Sequence, residues 1–371
     1  MIPTRWTTAR RALKTSLTGA LAALFLTTLP AFAQDTVTLK DGKSETGRVK
    51  SADFEGLTIE NKGQAKTLEW NTVASIAFKD PPDEYGAGRD AFDAAKFDEA
   101  LAAFDKLKAD KNLRAPIRQD AFYYSASANL AKGNWDAAIA GFDALRKEYP
   151  KSRYLIEAGE AYVTAFSAKK DLAGATKALD TLGNEAAVAG VPAGFSAAVS
   201  LLKGRLLEEQ VPPKIAEAAA AYGVAEKATG APLVVVQQAR LGQARCLVAQ
   251  KKAAEAEAIF RKLTGEDASS LVLAGAWNGL ADLWMVDAMT KNDQEKSDKL
   301  NDAATAYMRG VVQYGPGPGE SVREYKRSLE GSMRAFKALS DVEKNADRKK
   351  AYLQRYLERK EAFEREFPGG K

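Results

Sequence analysis

Few kinds of side chain in this 371-residue sequence could perform acid–base or metal chemistry. Histidine, the commonest general base and a frequent zinc ligand, does not occur at all. The single cysteine, Cys246, lies in an apolar stretch beside Ala244 and Leu247, a setting typical of a small buried hydrophobe rather than of a reactive thiol. Without histidine, the chain cannot form a Ser-His or Cys-His dyad, and with one cysteine it cannot form an intramolecular disulfide. We therefore predict no catalytic and no metal-binding residue.

Glycine-rich patterns do not predict a phosphate site either. The segment Gly315-Pro316-Gly317-Pro318-Gly319 is interrupted by prolines, which lack the N–H groups that a phosphate loop supplies. The 49 acidic residues leave a paired-carboxylate hydrolase as an alternative. Charge runs such as residues 341–350 and 358–366 are instead typical of solvated helix faces. The sequence thus favours a non-enzymatic protein without a cofactor.

The first 33 residues have the three parts of an export signal. Four basic residues precede an apolar run over residues 17–29, and Ala31-Phe32-Ala33 supplies the small-x-small cleavage pattern. We expect cleavage after Ala33, which makes Gln34 the mature N-terminus. An uncleaved anchor is the alternative, although the run is short of the ~20 residues that span a bilayer. The twin arginines fit a Tat signal only in part, so the Sec route is favoured.

Removal of this segment changes what the charge implies. It carries four basic residues and no acidic one, so the formal net charge falls from +5 to +1. The apparent basicity therefore belongs to the signal and does not indicate a surface for nucleic acid or anionic lipid. We expect a protein of the periplasm or extracellular space, with no stable membrane insertion after cleavage.

Residues 36–78 alternate apolar and polar side chains with a period of two. Turn pairs such as Asp41-Gly42 and Lys62-Gly63 separate the apolar positions into about five short strands. The pattern resembles an SH3-like or Sm-like barrel, which raises RNA binding as an alternative. Basic and acidic residues are mixed here, which argues against a phosphate track. We expect a small module that either caps the helices or contacts a protein partner. It is expected to dock on the first repeat, and its removal should leave the repeats folded.

A small residue followed four positions later by a large one recurs along the rest of the chain. Such a pair lies on one helix face and predicts one buried seam per helix pair. The pairs are Ala100/Phe104, Ala138/Phe142, Ala175/Leu179, Ala218/Tyr222, Ala256/Phe260 and Ala303/Tyr307. Their spacings of 37 to 47 residues predict long loops between helices.

Around the second pair the pattern is nearly complete. Ala126 is a small residue of the first helix, Gly133 and Trp135 mark the turn, and Pro150 ends the second helix. The segment resembles the tetratricopeptide repeat (TPR), a helix–turn–helix unit of about 34 residues. The resemblance implies a TPR-like α-solenoid of about six to seven helix pairs that binds protein partners. Trp135 and Phe142 are expected in its core.

The resemblance also places candidate partner-binding residues, because the first helix of each repeat lines the groove in that family. The candidates are Arg89, Phe92, Tyr123, Ser127, Glu160, Thr164 and Arg245. No pair of basic residues recurs between repeats, so a peptide-carboxylate clamp is not predicted.

The sequence therefore predicts a mainly α-helical protein of four parts. These are a signal peptide over residues 1–33, a five-stranded β-barrel-like module over 34–80, TPR-like repeats over 81–319, and capping helices with a tail over 320–371. The favoured function is a periplasmic scaffold or adaptor of the cell envelope. The alternatives are a permanent structural subunit of a larger envelope assembly and, less favoured, the carboxylate hydrolase.

Overall fold

The computed structural model describes residues 34–316 and 322–367. The expected signal peptide and its cleavage site lie outside these residues. The described chain forms two compact units, which divide between Pro192 and Ala193. We call them the N-terminal unit and the C-terminal unit. The predicted boundaries at 33/34, 80/81 and 319/320 stay predictions.

The N-terminal unit begins with five strands, as the alternation predicted. They are β1 (Asp35–Leu39), β2 (Ser44–Asp53), β3 (Gly56–Asn61), β4 (Gln64–Leu68) and β5 (Val73–Ala77). All neighbours pair antiparallel in the order β4-β3-β2-β1-β5. The register shifts between Val49 and Ser51, so the long strand β2 pairs with β1 before the irregularity and mainly with β3 around and after it. Val37, Val49 and Leu57 lie in the core of this β-module.

Helix hairpins make up the remainder of both units. The N-terminal unit contains α1 (Asp83–Asp93), α2 (Phe97–Ala109), α3 (Ala115–Lys132), α4 (Trp135–Glu148), α5 (Leu155–Ala168) and α6 (Leu172–Val188). The C-terminal unit contains α7 (Phe195–Glu208), α8 (Ile215–Lys227), α9 (Leu233–Ala249), α10 (Ala253–Thr264), α11 (Ser270–Ala288), α12 (Asp293–Val312), α13 (Arg323–Val342) and α14 (Ala346–Glu366). The seven helix pairs in this part of the chain confirm the predicted TPR-like helical array.

Several hairpin turns share one backbone conformation. Ala95, Gly133, Lys170 and Lys251 follow the first helix of their pairs with φ between 57° and 77°. This left-handed conformation ends a helix within a few residues, so the second helix folds back directly. The predicted long loops are wrong for the spacing of 47 residues between Ala256 and Ala303. There the extra length lies in α11 and α12, which have 19 and 20 residues.

Both members of every predicted small–large pair are buried, at most 1 % exposed. The large side chains fit because the neighbouring helices supply small residues. A Cβ added to Gly242 of α9 or to Gly204 of α7 would lie within 2.6 Å of the Tyr222 ring. Phe142 is buried as expected. Trp135 is only half-buried because it occupies the first position of α4, so its assignment to the core is wrong.

The β-module is anchored to the helices by polar contacts. Asp35, 2 % exposed, accepts hydrogen bonds from both terminal nitrogens of Arg114, and also from the backbone N–H groups of Val49 and Lys79 at 2.7 Å. Burial opposes the charge of Asp35, but these donors outweigh it and lower the pKa of the carboxyl group. The module is thereby held to the loop before α3.

A second anchor joins β2 to α3 and to the loop after α4. Gln119 of α3 donates to the carbonyl of Ala52 at 2.9 Å and accepts from the Ser152 hydroxyl at 2.7 Å. Asp53 forms a β-bridge with Ser152. The expected docking on helices is confirmed, but these anchors lie on the second hairpin. The first hairpin contributes an edge contact between Phe78 and Tyr85.

The tight fit around Tyr222 predicts opposite effects for two glycine substitutions. Gly242→Ala forces the ring away and should destabilise the protein by about 1–3 kcal/mol. Gly223→Ala lies on α8, where the added methyl group meets no atom closer than 3.6 Å, and should stabilise it by about 0.5–1 kcal/mol. Urea unfolding of both variants checks this. Equal changes in the free energy of unfolding would contradict the close packing of Gly242 against Tyr222.

The buried carboxylate of Asp35 predicts a large loss on neutralisation. Asp35→Asn removes the counter-charge of Arg114 and should lower the free energy of unfolding by about 3–5 kcal/mol. The control is Asp41→Asn, which breaks an exposed ion pair with Lys43 and should leave the free energy of unfolding almost unchanged. If both variants lowered the melting temperature by the same amount, a structural role for Asp35 would be contradicted.

Candidate partner-binding site

The first helices of the N-terminal hairpins share a face that gathers most of the predicted residues. The Arg89 guanidinium group lies 4.4 Å from the ring centroid of Tyr124. Phe92 meets the same ring edge-on at 5.2 Å, and Tyr123 lies 5.0 Å from it. Tyr123 also stacks on Tyr154 at 3.8 Å. Arg89, Phe92 and Tyr123 are thus joined through Tyr124, which the sequence analysis did not single out.

The remaining candidates of this unit extend the face along α3 and α5. Ser127 lies one turn beyond Tyr123 on α3. Glu160 and Thr164 are exposed on α5, where the Thr164 hydroxyl donates to the carbonyl of Glu160 at 3.0 Å. Glu157 lies on the same helix and is also exposed. Aromatic rings and carboxyl groups therefore adjoin on one face.

A buried aspartate, Asp120, holds the helices of this face together through hydrogen bonds. Asp120 of α3 accepts hydrogen bonds from Tyr85 and Tyr154 at 2.8 Å and from Arg153 at 2.7 Å. Because these three residues come from α1 and from the segment that leads into α5, one carboxylate ties three hairpins together. Arg153 also lies 4.9 Å from the Trp70 ring of the β-module. Sequence reasoning missed Asp120, since a single aspartate in a helix carries no recognisable pattern.

Arg245, the last candidate, lies in the C-terminal unit and is committed to two carboxylates. Its Nε and one terminal nitrogen donate to the two oxygens of Glu208 at 2.6 and 2.9 Å, and its other terminal nitrogen lies 3.3 Å from Glu324. Arg327 continues the series, with 3.2 Å to Glu324 and 3.0 Å to Asp282. We call this series, from Glu208 through Arg245, Glu324 and Arg327 to Asp282, the ion ladder. It crosses α7, α9, α11 and α13.

The ion ladder keeps Glu324 charged although only 2 % of its side chain is exposed. Burial alone would raise its pKa, but Arg327, Arg245 and Arg323 outweigh burial and lower the pKa to about 2. Asn278 of α11 adds a hydrogen bond from its side-chain nitrogen to the Glu324 carbonyl at 2.9 Å. The charged side chains of the ladder are therefore bonded to one another within the protein.

Two adjoining cavities open over the ion ladder. The larger, about 830 Å³, is lined by residues of α9 and α11–α14, and the smaller measures about 490 Å³. They share Val248, Asp282 and Arg327. Their basic lining residues are Arg245, Arg323, Arg327, Arg334 and Lys337, and their acidic ones are Glu208, Glu209, Asp282, Glu324 and Glu330. Val248, Met333 and Tyr356 supply apolar wall to the larger cavity.

Residues 120–152, which cover α3 from Asp120 onward, the turn after it and α4, match the family model of the tetratricopeptide repeat. The chain contains a tetratricopeptide repeat. No curated protein matches the sequence. Within the described residues, no three His, Cys, Asp or Glu side chains converge as a metal site would require. None of the described helices is long and apolar enough to cross a membrane.

Three of the solved structures similar to the chain are TPR proteins or parts of them. A tetratricopeptide repeat protein from Parabacteroides merdae ATCC 43184 is 15% identical over 74% of this chain and 98% of its own, with a TM-score of 0.40. The C-terminal part of a TPR repeat-containing protein from Cytophaga hutchinsonii is 10% identical over 72% and 99%, with a TM-score of 0.42. The TPR2AB domain of yeast Sti1, in a pHSP90 complex, is 15% identical over 68% and 96%, with a TM-score of 0.25.

The depressed pKa of Glu324 predicts acid sensitivity with a defined sign. Its folded pKa of about 2 lies below the ordinary 4.5, so the unfolded chain binds the proton more tightly. The stabilisation is complete above pH 4.5 and is lost as the pH falls toward 2, by at most about 3 kcal/mol. Glu324→Gln should remove this part of the pH dependence.

Glu330→Gln, on the same helix but 46% exposed, is the control for that measurement. Its unfolding free energy should follow the parent protein between pH 2 and 6, as measured by denaturant titration at each pH. A parallel shift of both variants would contradict the special position of Glu324.

Proposed function

We propose that this protein is an exported scaffold that binds protein partners in the periplasm and brings them together in the cell envelope. The observation that carries the proposal is the TPR-matching hairpin within the face of α1, α3 and α5, where Arg89, Phe92 and Tyr123 gather around Tyr124. Stacked helix hairpins of this kind present extended binding surfaces. The basic and apolar stretches of residues 1–33, followed by Ala31-Phe32-Ala33, support export.

The character of the faces favours an adaptor over a permanent structural subunit. A permanent subunit would be expected to expose a large apolar patch. Here the exposed large apolar side chains are distributed over separate elements, such as Val188 at the end of α6, Val224 on α8 and Met289 at the end of α11. The candidate faces are instead rich in charged and aromatic groups. Binding without catalysis is the corresponding expectation, since the TPR-type fold typically serves protein interaction and the sequence lacks histidine.

Site-specific cross-linking in the exported protein tests the proposal. A photoreactive amino acid replaces Glu160 on the α5 face or, as the matched control, Glu99, an exposed glutamate of α2. Protein released by osmotic shock should begin at Gln34 and should form discrete cross-links from position 160 but not from position 99. Protein that retains residue 1 in the membrane pellet would contradict cleavage after Ala33 and release from the membrane. Identical cross-links from both positions would contradict binding on this face.

A further inference from the structure

Gln34 lies immediately before the first strand of the β-module. It is exposed, and its side chain makes no hydrogen bond within the described residues. The next residue, Asp35, is 2 % exposed and is paired with Arg114. The backbone N–H groups of Val49 and Lys79 also donate to Asp35. Within one residue the chain therefore changes from an unconstrained side chain to the buried anchor of the module.

Gln34 also lines a cavity of about 490 Å³ whose wall carries an excess of basic residues. The charged residues of this wall are Arg48, Lys62, Lys79 and Arg114, against Asp35 and Glu60. Of the two carboxylates, Asp35 is paired with Arg114, and Glu60 lies 3.2 Å from Lys50. A protonated α-amino group at position 34 would add a further positive charge beside this excess, whereas a neutral N-terminus would not.

An N-terminal glutamine can become neutral by closing on its own side chain. The lone pair of the α-amino nitrogen attacks the side-chain carbonyl carbon, Cδ, and forms an N–Cδ bond. The Cδ–Nε2 bond breaks, and ammonia leaves with the proton that the α-nitrogen loses. The product is a five-membered lactam, pyroglutamate, and the step needs neither an oxidant nor a co-reactant. The Gln34 side chain is free to fold back in this way because it is exposed.

We propose that Gln34 is a modification site and that the mature protein carries pyroglutamate at this position. The inference rests on the proposed export, because cleavage after Ala33 creates the N-terminal glutamine. The lactam blocks aminopeptidases, which require a free α-amino group. It thereby protects Asp35, since removal of Gln34 would turn the backbone N–H of this buried residue into an ammonium group beside Arg114.

Mass spectrometry of the exported protein tests the modification. The expected mass is that of residues 34–371 less one molecule of ammonia, and Edman degradation should give no sequence from the blocked N-terminus. The matched control is Gln34→Asn, which keeps the side-chain amide but is one methylene group too short to form a five-membered ring. Its mass should be that of the unmodified chain, and Edman degradation should begin at Asn.

Incubation with an aminopeptidase tests the protective role. The parent protein should keep its mass and its melting temperature. Gln34→Asn should melt like the parent at first, because position 34 is exposed, but should lose its first residue during the incubation. Its melting temperature should then fall by at least about 3 °C. A chain that is produced with Asp35 as its first residue should show the same fall without the enzyme.

The basic wall of the cavity predicts how fast the lactam forms. The mature chain is released from an N-terminal fusion by a site-specific protease, which defines the start of the reaction. Lys62→Glu supplies a carboxylate that can hold the α-ammonium group, and it should slow the loss of ammonia about two-fold. Lys40→Glu makes the same charge change at an exposed position outside the cavity wall and should leave the rate unchanged. Equal rates for both variants would overturn the role of the wall.

The remaining outcomes separate this proposal from the proposed export. An exported chain that begins at Gln34 with its full mass and a free α-amino group would overturn the modification and leave export standing. A chain that keeps residues before Gln34 would overturn both. An unchanged melting temperature of the chain that begins at Asp35 would overturn the protective role. The cross-links from position 160 report on the face of α1, α3 and α5 independently.

Discussion

The helical part of this protein depends on large side chains that fit against glycine on a neighbouring helix. Tyr222 lies between Gly204 and Gly242, and Tyr307 lies so close to Gly331 that an added Cβ would come within 2.2 Å of its ring. Any larger residue at these glycines would push the helices apart. This contact fixes how closely successive hairpins approach, so it also fixes which side chains of the first helices meet on the candidate faces.

The sequence pattern was sufficient for these seams because it is local. A small and a large residue four positions apart identify a helix face without knowledge of its neighbours, and the alternation over residues 36–78 identifies strands in the same way. The predictions that were wrong needed distant information. Whether extra residues lengthen a loop or a helix, as in α11 and α12, and which hairpin receives the β-module depend on contacts such as Gln119 with Ala52, 67 positions apart.

The candidate site shows the same limit. Arg89 and Phe92 are three positions apart on one helix, so the repeat pattern could place them together. Asp120 and the ion ladder could not be found, because their partners lie far along the chain: Arg245 and Glu324 are separated by 79 residues. Charge composition was equally uninformative here. The walls of the two cavities contain five basic and five acidic residues, a mixture that any solvated surface could have. Only the structure shows which of these residues form ion pairs with one another.

The contact between Asp35 and Arg114 has a consequence for the order in which the chain can fold. The strands of the β-module are made first, but the buried carboxylate of Asp35 finds its counter-charge 79 residues later, and the bridge at Ser152 later still. Until that segment emerges, Asp35 has the N–H groups of Val49 and Lys79 as donors but lacks its counter-charge. The β-module must therefore wait for the segment that follows α4 before its buried polar contacts are complete.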